Sequence, residues 1–270
     1  GNALPAVQTQ ANVYVMKKIT KNLFSLETTK KKAGSLGYST NPEEITATVY
    51  KFRHPSAPAF LQIDIIYNNF SISYNLANDP QPLDKQPPTP EVASSQVQNF
   101  ISQASLLPLD LKGQIKSDFL KVEGQSLNPA LSLSDANLTR VSLMRSDLEK
   151  IPSVTQNPKI SNVWFIVSGD PQRERQIISG EFHYFPIDDK QLSTYPIKTV
   201  QQALTDLQNG KGYIASLGEN KDGQVTQRDA QIAYYDPGVE TQFYQPVIVF
   251  TGDRNFLAYV PAITDTYYGK

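Results

Sequence analysis

Three times along this chain of 270 residues, a short stretch with apolar side chains at helical spacing gives way to segments in which apolar and polar residues alternate. A period near 3.6 followed by a period of 2 confines such segments to short helices lying on antiparallel sheets, because alternation leaves one strand face wet. The third occurrence is the clearest. Thr199 and Gln202 have the spacing of a capping box, in which a hydroxyl and an amide reciprocally satisfy two N–H groups at a helix start. Val200, Ala203, Leu204 and Leu207 then form one apolar stripe, and Gly210 accepts the left-handed conformation that stops a helix. Strands are expected at Tyr213–Leu217 and Val225–Tyr235, joined through Asp222-Gly223, and at Pro246–Phe250 and Phe256–Val260, joined across Gly252-Asp253.

In the first occurrence, Leu26, Lys30, Ala33 and Leu36 suit a short helix ending at Gly37. Ile45, Ala47 and Val49 then alternate with threonines, and Leu61, Ile63 and Ile65 with polar residues. Asn68-Asn69 reads as a tight turn into Phe70, Ile72, Tyr74 and Leu76. In the second, Ala93, Val97, Phe100, Ile101 and Ala104 make the helical stripe. Strands follow around Leu138–Arg145, Ile160–Ser168 and Gln176–Phe185. Val163–Val167, apolar on both faces, is expected to be central. Residues 106–137 show no assignable pattern. Five prolines between Asp79 and Pro90 read as a semi-rigid linker. The expected fold is α+β, with antiparallel sheets each partly covered by a short helix. It divides into an N-terminal lobe over 1–80, a linker over 81–90 and a C-terminal lobe over 91–270 made of units 91–190 and 194–270.

The balance of 25 basic and 26 acidic side chains argues against a nucleic-acid partner, which would demand a basic stripe. Lys30-Lys31-Lys32, with the scattered Lys17, Lys18 and Lys21, reads as a solvated helix face. The absence of cysteine excludes thiol chemistry and zinc–thiolate sites, and fits an envelope protein without disulfides. No window of 18 apolar residues occurs. The start at Gly1-Asn2-Ala3-Leu4-Pro5, without methionine, is read as the trace of a removed N-terminal signal or anchor, with Gly1 a tag remnant.

Signatures of catalysis are missing: there is no Gly-x-Ser-x-Gly elbow and no phosphate-binding loop. His54 and His183 stand alone. Neighbouring acids at Glu43-Glu44 and Asp188-Asp189 would point to opposite faces of a strand and border turns. Asn220-Lys221-Asp222-Gly223 lacks the ligand spacing of a calcium loop. Asn69 and Asn137 open Asn-x-Ser/Thr sequons. No catalytic residue, metal or cofactor is expected. Eight of the 14 tyrosines lie from Tyr195 onward, and tyrosine offers large contact area at small entropic cost. A partner-binding surface is therefore expected on the C-terminal sheet at Tyr234, Tyr235, Tyr244, Phe256 and Tyr259.

Tyr195-Pro196-Ile197-Lys198-Thr199 before Gln202-Ala203-Leu204, and Asn209-Gly210-Lys211-Gly212-Tyr213-Ile214 after it, resemble the YycH/YycI family of regulatory proteins. Ile232–Tyr235, Gln245-Pro246-Val247 and Ala258–Ala262 are similar as well, and the helix-plus-meander plan also resembles PepSY-type modules. The resemblance covers the last third of the chain. It implies a non-enzymatic interaction domain outside the cytoplasmic membrane, held by an N-terminal anchor, with an envelope protein such as a sensor histidine kinase as partner. The alternatives are an envelope hydrolase whose site assembles only in the fold, and a PepSY-like inhibitor or chaperone of a secreted enzyme.

Overall fold

A computed structural model describes residues 7–20 and 22–267; Gly1–Pro5 and Lys21, named above, lie outside the described residues. The chain opens with β1 (Gln10–Met16) and α1 (Ser25–Ser35), then β2 (Glu43–Glu44), β3 (Val49–Arg53), β4 (Ala59–Asp64) and β5 (Phe70–Tyr74). After α2 (Pro90–Gln103) come β6 (Ile115–Glu123), β7 (Ser126–Ala130), β8 (Leu138–Leu143), β9 (Ser153–Thr155), β10 (Val163–Val167), β11 (Ile177–Phe182) and β12 (Ile187–Pro196). The last stretch holds α3 (Val200–Gln208), β13 (Tyr213–Ser216), β14 (Gln227–Asp236), β15 (Phe243–Gly252) and β16 (Phe256–Pro261). The fold is α+β, as the periodicities require, and each α-helix precedes a set of strands.

Two compact units arise. The first takes the residues up to Lys18, Ser146–Ser161 and those from Phe185 onward; the second takes Ile19–Arg145 and Asn162–Tyr184. This division differs from the expected lobes over 1–80 and 91–270. The proline-rich segment 81–90 runs inside the second unit, where it is a packed strap. Pro82 and Pro87 are buried, and Pro90 occupies the first turn of α2, where its missing N–H leaves nothing unpaired. Tyr74 and Arg175 fix its start through Asp79 at 2.6 and 2.9 Å, and the Thr139 hydroxyl donates to the Pro88 carbonyl at 2.7 Å.

The second unit is built on a nine-stranded antiparallel sheet, ordered β2-β3-β4-β5-β11-β10-β8-β6-β7. Its halves share a plan, with β7 added at the outer edge of the second. Outward from the seam run β5-β4-β3-β2 behind α1 on one side and β11-β10-β8-β6 behind α2 on the other. Burial on β4 alternates as the sequence requires, and the β4–β5 hairpin turns at Asn68, whose φ is 59°. At the seam Phe70 lies directly opposite Phe182, with the rings stacked at 5.0 Å. Phe165 of the central strand β10 faces Gly180 on β11, and its ring covers the glycine so closely that a Cβ there would lie 2.3 Å away. One core joins these rings to Ala33 and Leu36 beside α1 and to Ala93, Val97 and Ile101 of α2. Residues 106–137 prove to hold the β6–β7 hairpin, missed because charges break up the pattern of β6 and Pro129 sits inside β7.

In the first unit the path β12-β1-β15-β14-β9 is antiparallel except at β9–β14, and β16 also pairs with β15 and carries β13 at its outer edge. The Thr199–Gln202 capping box is present in both directions, with Thr199 N–H donating to Gln202 Oε1 at 2.9 Å and Gln202 N–H to Thr199 Oγ1 at 3.2 Å. Val200 and Ala203 pack with Ile248, Phe250 and Val260. Lys198 ties this helix down, its Nζ lying 2.9 Å from Asp206 and 2.7 Å from Asp265. The Gly252-Asp253 corner joins β15 to β16 as expected. Asp222-Gly223 does not make a hairpin, because β13 pairs with β16 and β14 with β15.

Candidate functional site

All five aromatic residues expected to meet a partner belong to the first unit, and four of them are buried: Tyr234 and Tyr244 at 0% exposure, Tyr259 at 3% and Phe256 at 7%. Only Tyr235 is half-buried. The alternation of Tyr234 and Tyr235 between core and outward positions holds. The exposed patch does not form, and the reason is topological. For Tyr234 and Tyr244, β1 and β9 from distant parts of the sequence join this sheet and turn its expected edge into interior, while Tyr259 packs with Ala233, Val247 and Val249. Tyr234 stacks on Tyr244 at 5.1 Å and meets Tyr14 of β1 edge-on at 5.6 Å. The Tyr234 hydroxyl donates to the Asn12 carbonyl at 3.0 Å, and the Tyr244 hydroxyl lies 2.5 Å from Ser153 Oγ on β9. These rings are a core.

The other acidic and histidine candidates are likewise engaged locally. His183 Nε2 lies 2.8 Å from Glu181, and Glu44 accepts from the Tyr50 hydroxyl at 3.3 Å. Asp188 accepts from the Lys190 N–H and the Gln191 amide. Asn220 spends its amide on the carbonyls of Leu217 and Asp253. The sequon residues do the same: Asn69 Oδ1 accepts from Tyr184 N–H and Asn137 Oδ1 from Val122 N–H. Among the described residues no group of three His, Cys, Asp or Glu could hold a metal ion, and no helix is long and apolar enough to cross a membrane.

A site does emerge in the second unit, as a cleft of about 390 Å³ between the end of α1, one side of α2 and the segment before β11. The first wall follows from a glycine. α1 ends with Tyr38 N–H donating to the Ala33 carbonyl at 2.9 Å and Gly37 N–H to Gly34 at 3.0 Å, a Schellman closure that needs the positive φ of 101° at Gly37. Because Gly37 has no side chain, the His54 imidazole can lie against it; a Cβ there would sit 3.2 Å from His54 Nε2. His54 follows β3, and its Nδ1 accepts the N–H groups of Ser56 at 3.3 Å and Ala57 at 3.1 Å in the turn after Pro55. These bonds assign the neutral ring its proton at Nε2. Burial lowers the His54 pKa, with the Glu174 charge pulling the other way. Tyr38 packs edge-on against this ring at 5.4 Å, and burial drives its pKa far above the ordinary phenol range, so it stays protonated.

The second wall is α2. Its Ala93, Val97 and Ile101 are consumed by the core, which turns Gln96, Asn99 and Gln103 toward the cleft with Phe100 between them. Gln96 Oε1 is buried without a hydrogen-bond partner. Across the opening, Arg173 donates to the Ser35 carbonyl at 3.2 Å and to Gln103 Oε1, so that one guanidinium bridges the last turn of α1 and the side of α2. A cation there also suits the negative end of α1. Glu174 beside it offsets the charge. Of the residues involved, the sequence reading had named only His54 as chemically notable, and as an isolated one. The cleft is assembled from 34–38, His54, 96–103 and 173–177, and its one local trace is the spacing of amides on the polar side of the α2 stripe.

No protein-family model matches the chain, and no curated protein matches it. Two solved structures are similar to it at 10% sequence identity. One is an uncharacterized protein from Eubacterium rectale ATCC 33656, matched over 97% of this chain and 85% of that chain with a TM-score of 0.49. The other is the YpeB C-terminal domain of Bacillus megaterium, matched over 92% of this chain and 95% of that chain with a TM-score of 0.39. What fold and site define is an α+β protein with helix-covered antiparallel sheets and a neutral polar cleft.

Proposed function

We propose that this chain is a non-enzymatic interaction domain that works outside the cytoplasmic membrane, tethered through an N-terminal anchor, and that it regulates an envelope partner such as a sensor histidine kinase. The resemblance of Tyr195–Ile214 and the later segments to YycH/YycI proteins supports the location and the partner class. The observation that carries the reading is the chemistry of the α1–α2 cleft. His54 Nδ1, the atom that would have to accept a proton, is committed to two backbone N–H groups, whereas the cleft walls also hold the His54 Nε2–H and a buried Gln96 Oε1 that has no hydrogen-bond partner. Such a site is arranged to be met by a ligand's own donors and acceptors.

The test has two arms. The purified protein is assayed against peptidase, esterase and glycosidase substrates, and against the extracytoplasmic region of a sensor histidine kinase from the same organism. Binding to the kinase region, weakened about tenfold when Gln96 becomes leucine, is the expected outcome, one lost hydrogen bond being worth roughly that factor. Turnover that disappears in His54→Ala overturns the proposal in favour of a hydrolase.

A further inference from the structure

We infer that the cleft between α1 and α2 takes an extended, uncharged peptide segment and holds it through its main chain, with Gln96, Asn99 and Gln103 as the principal contacts. The inference rests on the reading of this cleft as a binding site and specifies its ligand. The three side chains stand at i, i+3 and i+7 on α2 and all line the cleft, Gln103 with its carbonyl oxygen taken by Arg173 and its N–H groups left to donate. At about 1.5 Å per residue they span roughly 10 Å, the length of about three residues of extended chain. A primary amide carries a carbonyl acceptor and N–H donors side by side, the same pair that a peptide group presents, so a row of amides can read backbone irrespective of sequence. Gln96 Oε1 is already desolvated and unpaired, and a buried acceptor of this kind calls for a donor. On the opposite wall the His54 imidazole, with its proton at Nε2, lines the same cleft, in a position that the missing side chain of Gly37 permits.

Charge selects against other ligands. Arg173 and Glu174 offset each other, and the Arg173 guanidinium is already spent on Ser35 and Gln103, which leaves no anchor for an anion. A saccharide would also meet amides, but sugar sites lay a ring against an open aromatic face. Tyr38 is 4% exposed with its edge toward His54, and the Phe100 ring is occupied against Phe165 at 5.9 Å.

The experiment titrates ¹⁵N-labelled protein with a blocked hexapeptide of alanine, serine, threonine and valine, with the same peptide N-methylated at alternate residues, and with chitotetraose. The unmethylated peptide is expected to shift the side-chain amide resonances of Gln96, Asn99 and Gln103, and the methylated one to leave them still. Gln96→Leu and, at the exposed position on the cleft's edge, Asn99→Ala should each weaken binding about tenfold at unchanged thermal midpoint. Equal binding of the methylated peptide, binding of chitotetraose in place of peptide, or no response to any probe overturns the inference. Should the kinase region still lose affinity on Gln96→Leu in those cases, the cleft stands as a binding site for another chemistry; should it not, both readings fall.

Discussion

Gly180 offers a test of how the seam of the nine-stranded sheet is held. A Cβ added there would lie 2.3 Å from Phe165 Cδ1 and 2.7 Å from Cε1, more than 1 Å inside ordinary contact, and Phe165 is fully buried between Phe70 and Phe100. The ring has nowhere to move, so Gly180→Ala should destabilise by about 1–3 kcal/mol through overpacking. Against this stands a gain of roughly 0.5–1 kcal/mol for replacing a glycine inside a strand, leaving a net loss of up to about 2.5 kcal/mol. Phe165→Ala alone should cost about 3–5 kcal/mol as a cavity. In that background the clash is gone and the added methyl lies against the cavity, so Gly180→Ala should become neutral or stabilising by up to about 1 kcal/mol. The single tryptophan, Trp164, neighbours Phe165 on β10 and reports on this unit during urea unfolding. If Gly180→Ala destabilises equally with and without Phe165, the close approach of ring to glycine is not what the seam depends on.

Two further outcomes bear on the first unit. Thr199→Ala should lower its stability by about 1 kcal/mol and speed hydrogen exchange at the Gln202 amide, while Thr199→Ser should change neither. Lys198 beside Asp206 holds that carboxyl below its usual range, with Lys211 adding to the effect. A depressed carboxylate stabilises the fold above its unfolded pKa of about 3.9 and loses that contribution as pH falls through the folded value. Circular-dichroism melts of the wild type should therefore decline more steeply below about pH 4 than those of Asp206→Asn; parallel curves would mean that the Lys198–Asp206 pair contributes nothing to acid sensitivity.

Local signals in the sequence were read well where the physics is local. A capping box depends on two residues three apart, and the Asn68 turn and the alternation of β4 depend on near neighbours, so each was legible. Val163–Val167 could be placed centrally because both of its faces are apolar. What could not be read was partnership at a distance. β1 is apolar from Val13 to Met16, but nothing near it in sequence shows what covers it, because its partners β12 and β15 come more than 150 residues later. The same blindness made Tyr234 and Tyr244 look like surface anchors, since their enclosing strands are supplied from far away. Prolines in 81–90 signalled stiffness but not the packing of the strap onto its own sheet. The cleft was hidden for the same reason as β1, four short segments contributing a few side chains each.

The interleaving of the two units along the chain has a consequence for the order in which they can form. During synthesis the second unit possesses all its strands once Tyr184 has emerged, and its seam, where β5 meets β11, closes then. β1 was made far earlier, yet its partners β12 and β15 come only after Tyr184, so it must wait as an unpaired apolar strand while the other unit matures. A chain cut at the proline strap would strand β1 permanently and split one sheet through its seam. For such a topology the vulnerable interval is the wait, and its length is set by the synthesis of β12 and β15.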